Sequence, residues 1–488
     1  MMSHRVRVLT ESQPSAEGHF ILYWMIAARR TSWNHGLDRA IHWARELGKP
    51  LVVLEPLRAG YRWASERIHQ FVIDGMADNA SRFGKANIAY YPYIEPSPGA
   101  GQGLLSELAA RSAVVVTDDF PAFFLPRMIR VAADRTPVRF EAVDSNGLLP
   151  IRATDQVFTT AHQFRRYLHQ VLPDHHSDAP TPNPLARLKL PTLSGGLPAG
   201  ITKKWEVADL SRAVSGALVE SLSIDHAVKP VGLRGGPATA GRVLRRFLKS
   251  RLARYADDRN QPGEEVTSGL SPYLHFGHIS AHEVVDAVAD VEEWSPARVN
   301  PAARGRRAGW WGMSASAESF LDELVTWREV GFNMCALRPD YDQYESLPAW
   351  AKKTLAEHAR DPRPHLYALE AFEEAETHDP LWNAAQRQLV REGRIHNYLR
   401  MLWGKKIFEW SPSPEEALET MIHLNNKYAL DGRDPNSYSG IFWVLGRYDR
   451  AWGPERPVFG KVRYMTSENT ARKYDVKGYM ARYGPAEG

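Results

Sequence analysis

The sequence predicts an α/β N-terminal domain built on a doubly wound parallel sheet, followed by an all-α C-terminal domain. Three observations carry this. Residues 20–150 alternate short apolar runs with stretches of helical period. Beyond Ala240 the apolar residues recur at helical spacing, with almost no alternating strand signal. Between the two, residues 172–203 are dense in proline, glycine and polar residues, a composition suited to a linker. The expected boundaries are 1–150 for the α/β domain, 151–238 for the linker and 239–488 for the helical domain.

In the first domain Phe20–Ile26 is a buried-strand candidate, and a helix is expected over Trp33–Leu47. A second strand follows at Pro50–Glu55 and a second helix at Ala64–Phe83. Asn87–Tyr91, Ala113–Thr117 and Val138–Val143 continue the strands, with helices near Leu104–Ala110 and Pro126–Asp134. Strands separated by helices pair in parallel, and such sheets bind ligands at their carboxyl ends. The run Gly99-Ala100-Gly101-Gln102-Gly103 is neither a full dinucleotide fingerprint nor a phosphate loop, and reads as flexible. His175-His176 carries no cysteine or carboxylate read at ligand spacing, so no metal site is expected.

With 488 residues the chain can bury two or three full cores, and 43% apolar against 24% charged residues is an ordinary globular composition. The single cysteine, Cys335, excludes an intramolecular disulfide framework and a thiolate metal cluster. No apolar run reaches membrane-spanning length, and the first residues lack a signal core. A cytoplasmic monomer without membrane association is therefore expected. The net charge of +4 permits an anionic partner without announcing one. Unusually, there are 15 tryptophans, most of them beyond residue 300.

The stretch from Asp379 to Trp443 carries the densest chemistry. Asp379-Pro380 is an N-cap followed by proline at the first helical position, and Gly393 is a natural stop. A second helix is expected over Ile395–Glu409, with Lys405 and Lys406 near its negative end. Ser413-Pro414 with Glu415 and Glu416 opens a third. These helices carry Trp382, Trp403 and Trp410. Trp403 and Trp410 are seven residues apart, so they lie along one helix face roughly 10 Å apart. Such indoles suit electron transfer from surface to interior, and they equally suit core packing.

Elsewhere, Thr239–Tyr255 is amphipathic and basic, a pattern that fits a solvated face. Thr267, Ser268, Gly269, Leu270 and Ser271 precede a helical segment, and hydroxyls with free N–H groups at a helix start can cradle phosphate. They also serve as ordinary caps. A helix over 318–335 puts Glu323 and Trp327 one turn apart, as a surface pair or as a recognition pair for a flat ligand. From 381 onward there are 17 Lys/Arg against 12 Asp/Glu. Arg450 and Arg463, interleaved there with Trp452, Phe459 and Tyr464, suit a nucleic-acid surface.

Taken together, the blocks VDSNGLLP, GLRGGPATAGRVLRRFL, TSGLSPYLHFG, DPLWNAAQ, HNYLRMLWGKKI, LDGRDPN and DRAWG, in this order, closely resemble the photolyase/cryptochrome superfamily, and within it the class II cyclobutane pyrimidine dimer photolyases. The resemblance covers nearly the whole chain. It implies light-driven DNA repair, with FAD in the helical domain and UV-damaged DNA as partner. It also implies a second antenna chromophore of deazaflavin or folate type, whose identity nothing in the sequence specifies. Tyr255 and Thr267 to Ser271 match the adenine and phosphate contacts. Arg400 and Asp431 match a buried ion pair beside the isoalloxazine, and Asn425 the amide facing flavin N5. Trp403, Trp382 and Trp410 match the class II electron relay; Ile441 stands where class I carries its innermost tryptophan. Glu323, Trp327, Met401 and Trp443 match the lesion pocket, and Arg450 and Arg463 the DNA contacts.

One departure stands out: class II members commonly read RRELADNF after the pocket glutamate, where this chain has Trp327-Arg328-Glu329-Val330-Gly331-Phe332-Asn333. A cryptochrome-like photoreceptor would keep the flavin residues without needing Glu323 and Trp443. A (6-4) photoproduct enzyme would need an active-site histidine pair that has no evident place here. A flavin oxidoreductase would need a nicotinamide fingerprint, and none is seen.

Overall fold

The computed structural model describes residues 4–175, 178–213 and 216–485, and the chain divides into two compact units. One unit comprises Met1–Thr154, Leu172–Arg245 and Gly269–Asp290; the other comprises Asp155–Val171, Arg246–Ser268 and Val291–Gly488. The two are interleaved, whereas the expected boundaries at 150 and 239 imply a single change of unit. The segment expected as a linker does not hang free. Ile201 and Trp205 from it are buried with Phe20, Leu22 and Val115 in one core cluster.

The first unit is the expected α/β layer structure. Its strands are β1 (Val6–Val8), β2 (Phe20–Trp24), β3 (Leu51–Leu57), β4 (Ala89–Ile94), β5 (Ser112–Asp118) and β6 (Arg139–Val143), in the order β1-β6-β5-β2-β3-β4. Strands β2 to β6 pair in parallel. The sheet is not wholly parallel, because β1 pairs antiparallel with β6 at the edge, Val6 opposite Val143. This strand has only three residues, partly exposed, and leaves no periodic trace in the sequence. The helices are α1 (His35–Glu46), α2 (Glu66–Lys85), α3 (Leu104–Ala109) and α4 (Leu125–Ala133). All five residues of β2 are buried, as expected where helices cover both faces. Phe20, Leu22 and Trp24 enter one core, and Ile21, Tyr23 and Met25 the opposite one.

The strand order reverses between β2 and β5, the place where such sheets bind ligands. Here the protein fills it with its own carboxylate. Asp118, at the end of β5, accepts from Tyr23 Oη at 2.6 Å and from the N–H groups of Ile26, Ala27 and Ala28 at 2.8, 2.7 and 2.9 Å. The glycine-rich run is likewise ordered: Gly99 and Gly101 N–H both donate to Glu95, each at 3.1 Å. It is not the flexible loop expected. The carboxylate Asp178, missed in the sequence, accepts from His175 Nδ1 at 2.9 Å; His176 lies outside the described residues.

In the second unit the helices that matter are α5 (Ala315–Leu321), α6 (Arg328–Leu337), α7 (Pro380–Glu392), α8 (Asn397–Trp410), α9 (Pro414–Tyr428) and α10 (Pro435–Val444). The start signals work as read: Asp379 accepts from Leu381 and Trp382 N–H, both at 3.0 Å, and Ser413 Oγ from Glu416 N–H at 3.1 Å. Gly393 closes α7 at φ 66°, left-handed backbone that favours glycine. Lys405 and Lys406 lie in the last two turns of α8, and both are buried; Lys406 pairs with Glu409 at 2.8 Å.

Helix α10 is packed against a glycine on each of two neighbouring helices. A Cβ on Gly331 of α6 would lie 2.7 Å from both Pro435 O and Ser439 Oγ. One on Gly404 of α8 would lie 2.5 Å from Val444 Cγ2. Glycine at 331, within the departure noted above, is thus required by the α6–α10 contact.

Removing the Asp118 side chain leaves three N–H groups and a phenol without their acceptor. Asp118→Ala is expected to lower the unfolding free energy of the sheet unit by roughly 3–5 kcal/mol in urea titration; a loss below about 1 kcal/mol contradicts this role.

Candidate functional site

The three indoles expected as a ladder come together inside the helical unit, all buried: Trp382 is 0%, Trp403 3% and Trp410 2% exposed. Trp382 Nε1 donates to Trp403 O at 3.0 Å, and its ring lies 5.9 Å from that of Trp410. Trp382, from α7, thus bridges two residues that α8 alone sets two turns apart. Trp403 Nε1 donates to Gln386 Oε1 at 2.9 Å, which fixes its ring. Trp410 is not the surface end. Half-buried Tyr367 stands 5.7 Å from its ring and shares a 2.8 Å hydrogen bond with His378 Nδ1.

Arg400, on the first turn of α8, and Asp431, after α9, form the expected ion pair, with Arg400 Nη2 3.1 and 3.3 Å from the two carboxylate oxygens. Their side chains are 21% and 14% exposed, so the pair is half-open and not sealed in the core. Asn425, 2% exposed near the end of α9, donates to Ser437 Oγ at 2.8 Å. Gly432 lets the chain turn back beneath it, since a Cβ there would lie 2.8 Å from Asn425 O.

Glu323 and Trp327 do not lie on a continuous α-helix. Residues Asp322–Trp327 form a π-helical turn between α5 and α6. The wider turn re-aims its side chains, as such insertions commonly do at functional sites. Two arginines that the sequence did not single out brace it. Arg165 grips Asp322 at 2.7 and 2.9 Å, and Arg259 pairs with Glu323 at 2.8 Å. Burial raises the Glu323 carboxyl above its ordinary value, against the opposing charge and hydrogen bond of Arg259. Arg259 also lies 5.6 Å from the Tyr255 ring, so a residue expected at the cofactor adjoins one expected at the lesion.

Trp327, Met401 and Trp443 are half-buried. Trp443 is flanked by two cations, Lys405 Nζ at 5.0 Å and the Arg463 guanidinium at 5.3 Å from its ring. Asp449 organises the basic tail: it accepts from Arg463 at 2.8 and 3.2 Å, from Arg450 N–H at 2.9 Å and from Trp452 Nε1 at 3.1 Å. Burial alone would raise Asp449, yet these donors hold it below the usual carboxylate range. Arg450 and Arg463 lie over Trp452 at 4.6 and 4.0 Å. The motif DRAWG contains Asp449, so its signal was present though its role was not read.

Tyr255 is buried against Phe320, ring centres 5.5 Å apart. In the stretch 267–271, Thr267 O accepts from Arg251 at 3.2 Å and Gly269 takes φ 70°. Leu270 is only 1% exposed, so its side chain belongs to the interior. Ser271 opens a helix of five residues, Ser271–His275. Among the described residues no group of three or more metal-ligating side chains occurs, and no helix is long and apolar enough to cross a membrane.

The chain is 33% identical over 481 residues to a deoxyribodipyrimidine photo-lyase of Methanothermobacter thermautotrophicus, covering 98% of each. It is 34% identical over 497 residues to one of Oryza sativa, covering 98% of this chain and 90% of that one. This chain belongs to the deoxyribodipyrimidine photo-lyase family. No family model matches it. A crystal structure of a bacterial class III photolyase from Agrobacterium tumefaciens superposes with TM-score 0.62 and 16% identity, over 97% of this chain and 88% of that one, which establishes the likeness of fold.

The photo-lyase family implies a flavin-type cofactor, and the donor set here fits one. A half-open cation–carboxylate pair, Arg400 with Asp431, can hold the polar edge of a flat ring. Asn425 offers a buried amide able to donate or accept, and Trp403 a buried redox-capable indole.

Lys405 gives a test of this interior. Burial pulls its amine from 10.5 to about 7, with Asp449 drawing it up and Arg463 pushing it down. A depressed amine is neutral in the fold above about 7 but protonated in the unfolded chain until about 10.5. Wild-type stability is therefore expected to rise with pH across that window, by a few kcal/mol at most, and this residue adds no slope below it, where both states hold the proton. Thermal melts of Lys405→Met should lack this slope; an identical slope in both proteins contradicts the assignment.

Proposed function

We propose that this chain is a light-driven lyase that splits cyclobutane pyrimidine dimers in DNA, using FAD in its helical unit, and that it is of the class II type. The reading rests on one observation above all: the likeness to deoxyribodipyrimidine photo-lyases runs through nearly the whole of both chains. When bound, reduced and excited by light, the flavin supplies one electron and takes it back after ring opening.

The protein's own residues do the rest. Arg400, Asp431 and Asn425 would hold the ring system and keep its charge balanced in a half-buried place. Tyr255 and residues Thr267 to Ser271 would take the adenine and phosphate end. Trp403, Trp382 and Trp410 would carry electrons inward whenever the cofactor must be restored to its reduced form. Trp327 and Trp443 would clamp a pyrimidine dimer turned out of the helix, with Met401 adapting to its puckered ring. The dimer pairs and stacks poorly within the duplex, so extruding it costs less than extruding normal bases.

Glu323, oriented by Arg259, would accept from the base N–H, and removing water from the pocket strengthens that bond. Arg450 and Arg463, held by Asp449, would meet DNA phosphates. A second chromophore would find an aromatic platform after β3 and β5. There Tyr61 lies 5.3 Å from Phe124 and Trp63 6.0 Å from Phe123. The substrate places the enzyme in whichever compartment holds DNA.

The test is direct. Chemically reduced, FAD-loaded protein under blue or near-ultraviolet light should return thymine dimers in an oligonucleotide to thymines, and leave them untouched in the dark. Equal conversion in the dark, or none in light at full flavin loading, contradicts the function. Arg463→Ala should bind dimer DNA more weakly and with a salt slope lower by about 1, read from titrations at several salt concentrations. An unchanged slope removes Arg463 from the interface.

A further inference from the structure

Lys405 has no part in the reaction described above, yet its placement is costly. Its side chain is fully buried on α8, donates to Val444 O at 2.5 Å and sits 5.0 Å from the Trp443 ring. Among the described residues no carboxylate forms an ion pair with it, and Asp449, the nearest acidic influence, is committed to Arg463, Arg450 and Trp452. The neighbouring Gly404 packs α8 closely on Val444, where a Cβ would lie 2.5 Å from Val444 Cγ2, and Lys405 itself is fully buried. Packing alone does not explain such a residue. An apolar side chain of similar volume often serves a buried position equally well or better than an ion. A buried amine beside a half-exposed indole instead places, when protonated, a positive field behind the surface that Trp443 presents.

We propose that Lys405 stabilises the negative charge that forms on a pyrimidine dimer lying against Trp443. This rests on the lesion site described under Proposed function. The dimer gains one electron from the bound, light-excited flavin, two carbon–carbon bonds of its cyclobutane ring open, and the electron returns. Lys405 makes and breaks no bond and keeps its protons throughout. Its ammonium lowers the energy of the transient anion through the indole, in a pocket from which stacking has removed water. No reorganisation is needed, because Val444 O already fixes the amine.

The charge is conditional. Facing the amine are Asp449 from the loop after α10, which favours the proton, and Arg463 from the C-terminal segment, which opposes it. Burial outweighs both and sets loss of the proton at about 7. The field is therefore present at lower pH and fades as pH rises through that value.

The experiment measures repair quantum yield from pH 6 to 9 with pre-reduced, FAD-loaded protein and saturating dimer DNA. The wild-type yield should fall as pH rises through about 7. Lys405→Met should bind the dimer as wild type does, with a yield lower on the order of tenfold at pH 6 and no dependence across the range. Separately, in flavin-free protein, the Nζ resonance of Lys405 should titrate in the same interval. A wild-type yield that is flat with pH, or a Lys405→Met yield matching wild type, overturns the proposal. So does a variant whose dimer affinity falls while its yield holds, because Lys405 would then only position Trp443. Failure of wild type itself to repair overturns the lyase reading as well.

Discussion

The close seating of helix α10 between two glycines is the constraint on which the candidate site depends. Gly331 and Gly404 leave no room for a side chain: α6 meets the backbone of α10 at Pro435, and α8 meets the Val444 side chain. Interiors packed this closely transmit any added volume as strain. The consequence for the site is geometric. Trp327 directly precedes α6, Met401 and Lys405 ride on α8, and Trp443 ends α10. Residues far apart in sequence are thereby held on three helices with little freedom to separate. The departure at Gly331 belongs to this contact and leaves Glu323 and Trp327 in their own π-turn, braced by Arg259 and Arg165.

Charge is handled differently in the two units. In the sheet unit Asp118 turns the usual ligand crevice inward and satisfies the loop after β2 with a single carboxylate. In the helical unit the charges remain half-open: Arg400 with Asp431, Arg259 with Glu323, and Arg463 with Asp449 all keep some exposure. Pairs of this kind contribute modestly to stability and can still meet a ligand. Asp449 shows how one acidic residue orders a basic surface, since it pairs with the Arg463 guanidinium and accepts from the Arg450 backbone N–H and the Trp452 indole.

Much of this was legible in the sequence, and the reasons are local. Caps such as Asp379-Pro380 and Ser413-Pro414 act within three residues of themselves, so they can be read without the fold. The buried strands β2, β3 and β5 announce themselves by apolar runs. By contrast, β1 has three residues with arginine at its centre, too short for any period. The π-turn adds a residue without altering composition, so a continuous helix over 318–335 was the natural expectation. Lys405 resembled any lysine near a helix end; only its neighbours Val444 and Trp443 reveal its burial. Arg259 and Arg165 meet their partners across long sequence separations, which no local pattern records. The interleaving of the two units escaped for the same reason.

An electron relay requires that the buried indoles conduct and do not merely fill space. Trp382 and Trp410 are in van der Waals reach of one another, and Trp403 is hydrogen-bonded to the first of them through its carbonyl. The direct measurement is time-resolved absorption after a blue flash on protein loaded with oxidised flavin, comparing wild type with Trp403→Phe at equal cofactor content. A conducting relay predicts a prompt indole radical-cation signal in wild type and its near-complete loss in the variant, while pre-reduced variant still repairs dimers. An undiminished signal in Trp403→Phe would show that these tryptophans are core packing alone.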